Sequence, residues 1–141
     1  TGFTVTMLNN LTTSVGMKFP DNYDLTGFNT SGKNIANMDL SNTQNFTAAM
    51  LGDANTIAGI LLPNNFDMTG FSFAGKNLSS INLSKTSGMT VDMINEIQSM
   101  SNCIFPKMDL SDYEYLGGGD IWSMSSFPYN NFSNTTGLKF Y

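Results

Sequence analysis

The sequence contains no histidine. That removes the side chain most often used as a general base near neutrality and as a zinc ligand. One cysteine is present, so Cys103 can close no internal disulfide and build no thiolate metal cluster. Only 12% of residues are charged and the net charge is −5, so a phosphate backbone gains nothing here by simple attraction, and direct nucleic-acid binding is not expected. No apolar run is long enough to span a bilayer, and no signal-peptide pattern is visible. In place of charge the chain carries Asn, Ser, Thr and Gly, with 11 Phe and 10 Met. Low charge combined with many large apolar residues is unlike a disordered segment. At 141 residues the expectation is a single domain over 1–141. The chain opens on Thr1 rather than Met, which points to a start that is processed or cut from something longer.

Internal repetition is the clearest signal. Phe19-Pro20, Leu62-Pro63 and Phe105-Pro106 are spaced by 43 residues. In the same register Phe3-Thr4, Phe46-Thr47 and Met89-Thr90 coincide, as do Met7-Leu8, Met50-Leu51 and Met93-Ile94. Cys103 falls with Met17 and Ile60, which predicts a buried apolar role for it. Such a spacing predicts a repeat architecture.

Each 43-residue unit divides in two. The first half reads as helical, over about 3–18, 46–61 and 89–104. Thr4, Thr47 and Thr90 are suitable N-caps, because a hydroxyl accepts an orphan amide of the first turn. Phe3, Phe46 and Met89 precede the caps, and Leu8, Leu51 and Ile94 follow at hydrophobic-staple spacing. In the last copy the helix is expected from Thr90 to about Met100, with Asp92 favourably placed near its start. In the middle copy Gly52 and Gly59 should weaken it. The second half, over about 21–43, 64–86 and 107–116, beats in fives. Leu25, Thr30, Ile35 and Leu40 occupy the inward place, and Asp24, Asn29, Asn34 and Asp39 stand before them. The next copy has Met68, Phe73, Leu78 and Leu83. A period of five fits neither helix nor strand. It suits a chain turning a corner every five residues, with Asn and Asp bonding back to nearby backbone and Gly27, Gly32, Gly70 and Gly75 free to take positive φ.

YDLTG FNTSG KNIAN MDLSN and FDMTG FSFAG KNLSS INLSK resemble the pentapeptide-repeat family, whose units read small residue, Asp or Asn, Leu, then two variable places. TVDMINEIQSMSNCIFP resembles the short helical insert found between coils in many of its members. The resemblance covers most of residues 3–111. It implies a mainly β fold, a right-handed β-solenoid of pentapeptide-like coils, with short helices in a 43-residue repeat. One departure stands out. The place two before the inward residue, usually Ala, holds Tyr23, Phe28, Lys33 and Met38, then Phe66, Phe71, Lys76 and Ile81. Either the coils are wider, or these side chains face a neighbouring element such as the helix.

Beyond Leu110 the beat is lost, and 112–141 is expected to act as a C-terminal cap. Tyr113, Tyr115, Trp122 and Phe127 are its candidate covering and interaction residues. Opposite it no cap is visible before the first helix, which points to an upstream segment or a stacked partner chain. Gly27 to Lys33 spells GxxxxGK, and Gly70 to Lys76 repeats it. A phosphate-binding loop needs Ser or Thr next and a following helix. Asn34 and Asn77 follow instead, so nucleotide binding is not expected. Asp109, Asp112, Glu114 and Asp120 around Gly117–Gly119 match no EF-hand spacing and read as a solvated surface. No catalytic residue, cofactor or metal is expected, and the chain reads as non-enzymatic. Two functional expectations follow. One is a structural module, a solenoid subunit of a virion, appendage or large complex, packing against copies of itself or other subunits in an extracellular or virion-associated setting. The other, implied by the resemblance, is an acidic DNA mimic that binds a topoisomerase.

Overall fold

The computed structural model describes residues 2–97, 99–111 and 131–137. Three short helices start where a threonine offers its hydroxyl. Helix α1 (Val5–Asn9), helix α2 (Ala48–Asp53) and helix α3 (Val91–Asn95) follow the N-caps Thr4, Thr47 and Thr90. Each cap oxygen accepts the amide three residues on, of Met7, Met50 and Met93, at 3.3 Å. The last helix stops at Asn95 rather than near Met100, and Ile97 turns into the core instead. Nor is the middle helix the weakest: α2 has six residues against five in the others. Ala48 and Ala49 are the best helix formers available, and the Phe71 ring lies 3.9 Å from where a Gly52 side chain would begin.

Between the helices the chain turns at residues with positive φ. Asn22, Gly27, Gly32 and Asn37 form one such series, and Asn65, Gly70, Gly75 and Ser80 another. Asp or Asn side chains brace the turns. Asp24 accepts the Thr26 amide at 2.8 Å, Asn34 that of Ala36 at 3.0 Å, and Asp67 that of Thr69 at 2.9 Å.

These corners overturn the expected mainly β solenoid, and with it the pentapeptide-repeat resemblance. Among the described residues, regular strand is limited to β1 (Tyr23–Asp24), β2 (Thr43–Gln44), β3 (Asn77–Ser79) and β4 (Ser99–Ser101). They form two separate two-stranded parallel sheets, β1–β2 and β3–β4, and no barrel closes. All other pairing is by isolated parallel bridges between segments 20 to 27 residues apart, such as Asp39 with Lys18 and Leu61. The physical reason is length. A corner every five residues leaves two or three extended residues per side, so ladders stop before they become continuous strands. The bulky side chains contribute too: Phe28, Met38, Phe66, Phe71 and Ile81 are all buried, where a narrow coil needs a small residue. Without that architecture, the expectations of a solenoid subunit in a virion, appendage or other assembly and of a topoisomerase-binding DNA mimic lose their basis.

The interior is one cluster. Leu25, Ile35 and Leu40 share it with Met68, Leu78 and Leu83, and helices add Leu8, Leu51 and Ile94. Phe71 and Phe73 meet edge to face at 4.8 Å, and Phe105 stacks on Phe132 at 4.4 Å. Among the described residues, no helix is long and apolar enough to cross a membrane.

Candidate functional site

The lysines of the two GxxxxGK stretches have a structural occupation. The Lys33 ammonium donates to the carbonyls of Asn9, at 3.0 Å, and Leu11. Lys76 donates to those of Gly52 and, at 2.8 Å, Ala54. Both therefore close the C-terminal ends of α1 and α2, where carbonyls lack partners inside the helix and a cation is favoured by the dipole. Asn34 and Asn77 continue into bridge and strand, not helix. The third helix ends differently. Glu96 reaches across to accept the Ser72 hydroxyl at 2.8 Å and the Phe73 amide at 2.9 Å. Sequence reasoning missed these contacts, which span 22 to 24 residues. The available signal was a lysine recurring at a place otherwise held by Tyr, Phe, Met or Ile.

Tyr113, Tyr115, Trp122 and Phe127 lie outside the described residues, as do Asp112, Glu114 and Asp120. Asp109 is described, and it accepts the Ser111 amide at 2.9 Å. Among the described residues, no group of three or more acidic or cysteine side chains could hold a metal ion. Cys103 is buried, and desolvation pushes its thiol above the usual range, away from the reactive thiolate. Its sulfur donates to the Leu78 carbonyl at 3.1 Å.

Among the described residues, two surfaces offer themselves for recognition. The first is an open edge at residues 13–18. Asp39 is bridged on both sides, to Lys18 and to Leu61. Its amide donates to Met17 at 2.8 Å, and the Leu61 amide to Met38 at 2.9 Å. Lys18 is bridged to Asp39 alone, and its amide meets no acceptor among the described residues. Thr13 likewise pairs only with Asn34, which pairs in turn with Thr56. Of the four exposed large apolar side chains among the described residues, Val15 at 48% lies on this edge, and Phe3 at 41% and Met7 at 52% lie on the stretch before it.

The second surface is a polar groove of about 480 Å³ lined by Asp21, Asn22, Asn42, Gln44 and Asn64. Thr43 and Gln44 of β2 line it, and β2 pairs with β1 in parallel. Asn42 donates to the Asp21 carboxylate at 2.8 Å and Gln44 to the Asn22 side-chain carbonyl at 3.2 Å. A smaller cleft of about 160 Å³ shares Ser41, Pro63 and Asn64 with it and runs on to Leu61 and Lys85.

Three carboxylates near the turns are held below their ordinary value of about 3.8. Asn45 does this first for Asp24, then Thr26; the Ser41 hydroxyl does it for Asp39 and the Thr69 hydroxyl for Asp67. Each accepts those bonds as an anion, and hydrogen bonds to the charged form stabilise it. Such engaged acids act as turn braces rather than as candidate acid–base groups. Comparison with protein-family models, with curated proteins and with solved structures finds no match to this chain.

Proposed function

We propose that the chain is a non-catalytic binding protein that takes an extended segment of another protein along its open edge, beside residues 13–18. The observation that carries this reading is the unpaired Lys18 amide, set against the paired amides of Asp39 and Leu61. An added strand gains affinity from main-chain hydrogen bonds and specificity from side chains at alternate places. Exposed Val15 supplies an apolar contact on the same edge, and Phe3 and Met7 lie on the preceding stretch. The net charge of −5 favours a neutral or basic partner segment over a second copy, since two like-charged copies repel. The absence of histidine and the engagement of the turn carboxylates support a role without catalysis.

The test uses a photo-crosslinking residue at position 15 of the full chain in its native setting. The crosslinked peptide is sequenced, synthesised and titrated against the purified protein. The expected result is one extended segment of another protein, whose affinity falls at least about tenfold in Lys18→Pro, which deletes the amide donor. A crosslink between two copies, a crosslink to another stretch of the same polypeptide, or a peptide bound equally well by Lys18→Pro each overturns the reading.

A further inference from the structure

The groove over β1–β2 differs in chemistry from the apolar edge, and it points to a different ligand. We propose that it binds a neutral oligosaccharide. The lining is dominated by side-chain amides, each of which offers a donor and an acceptor together. The bonds from Asn42 to Asp21 and from Gln44 to Asn22 use one arm of each pair. Among the described residues, nothing engages the Asn42 and Gln44 carbonyl oxygens, the Asn22 amino group or the Asn64 amide. A surface that presents donors and acceptors in close alternation suits neighbouring sugar hydroxyls, which also donate and accept.

Charge narrows the class. Among the described residues, Asp21 is the one acidic side chain lining the groove, and no lysine or arginine lines it. A phosphate or sulfate would therefore meet a carboxylate with nothing to neutralise it. A cation would find a single carboxylate, short of the oxygen set that a metal ion needs. At about 480 Å³ the volume lies in the usual range for small-ligand sites, about 300–1,000 Å³. The backbone at and beside the groove is turned and tied. Asn22 and Asn65 are fixed at φ of 61° and 57°, and the Asn22 amide is tied to the Asn42 carbonyl at 2.7 Å.

The experiment is a titration of the isotope-labelled full chain with maltohexaose, cellohexaose, mannohexaose and chitohexaose. Side-chain amide resonances of Asn22, Asn42, Gln44 and Asn64 are followed, with inorganic phosphate and a neutral Gly-Ser peptide as controls. Saturable shifts of those resonances by at least one oligosaccharide are expected. Asn42→Leu and Gln44→Leu should each weaken that binding by about tenfold, the loss expected when one to two hydrogen bonds go, with the core amide spectrum unchanged. Lys18→Pro should leave it intact, which separates this site from the edge. The proposal is overturned if no oligosaccharide moves these resonances, if phosphate or peptide moves them as strongly, or if both leucine variants bind like the parent.

Discussion

Phe3 and Phe46 each stand directly before a threonine that caps a helix, yet Phe46 is buried and Phe3 is largely exposed. Met7 and Met93 occupy the same place in α1 and α3, and again the first is exposed and the other buried. Polar groups tell the same story. Thr30 donates across to the Met50 carbonyl at 2.6 Å, whereas the buried Ser14 hydroxyl finds no partner among the described residues. The local sequence is alike in each pair. What differs is whether another pass of chain lies against it. Thr13 and Lys18 are bridged on one side only, to Asn34 and Asp39, whereas Asn34 and Asp39 are bridged on both.

The largest expected effect sharpens that contrast directly. Phe73→Ala removes a buried ring in contact with Phe71 and should cost about 3–5 kcal/mol in urea unfolding. Phe3→Ala should cost less than about 1 kcal/mol, as for other exposed positions. Equal losses at the two sites would break the comparison.

Lysines come next. Lys76→Met leaves the Gly52 and Ala54 carbonyls without their donor and should destabilise by about 1–3 kcal/mol. Lys33→Met should do the same for the end of α1. Lys85, exposed and without a hydrogen bond among the described residues, should tolerate methionine within about 0.5 kcal/mol. Indifference at all three would remove the helix-end role.

A smaller change of opposite sign is expected at Ser14. Ser14→Ala deletes a buried hydroxyl without a partner and should raise stability by about 1 kcal/mol. Thr43→Val, which deletes a satisfied hydroxyl of the same class, should lower it.

The least effect concerns acid. Because the folded-state values of Asp24, Asp39 and Asp67 are depressed, their contribution is fully present above the unfolded value. It is lost as pH falls through the lower folded values. Urea midpoints should therefore fall in the window below about pH 3.8. Asp39→Asn, which keeps an acceptor for Ser41 but not its charge, should flatten that decline and slightly lower the midpoint near neutrality.

Some of this was legible in the sequence, and the reason is locality. Helix starts at Thr4, Thr47 and Thr90 depend on bonds three residues long, and the turn braces at Asp24 and Asp67 on bonds two residues long. The inward places at Leu25, Ile35, Met68 and Leu78 were readable for a similar reason, since each turn leaves one apolar side chain per five residues. Strand content was not readable. A family pattern implies continuous ladders, but whether a ladder forms depends on how many extended residues separate two corners. The contacts of Lys33 and Lys76 with helix ends were hidden because they join segments more than 20 residues apart. Nor was the groove visible: Asp21 and Asn42 look like ordinary turn residues until the parallel pairing of β1 and β2 brings them together.

Residue-resolved hydrogen exchange of the free chain tests the open edge most directly. The account requires the Lys18 amide to exchange at close to the unprotected rate, while the amides of Asp39 and Leu61 are slowed together. A Lys18 amide protected as strongly as that of Asp39 would contradict it, because residues 13–18 would then already have a strand on their outer side.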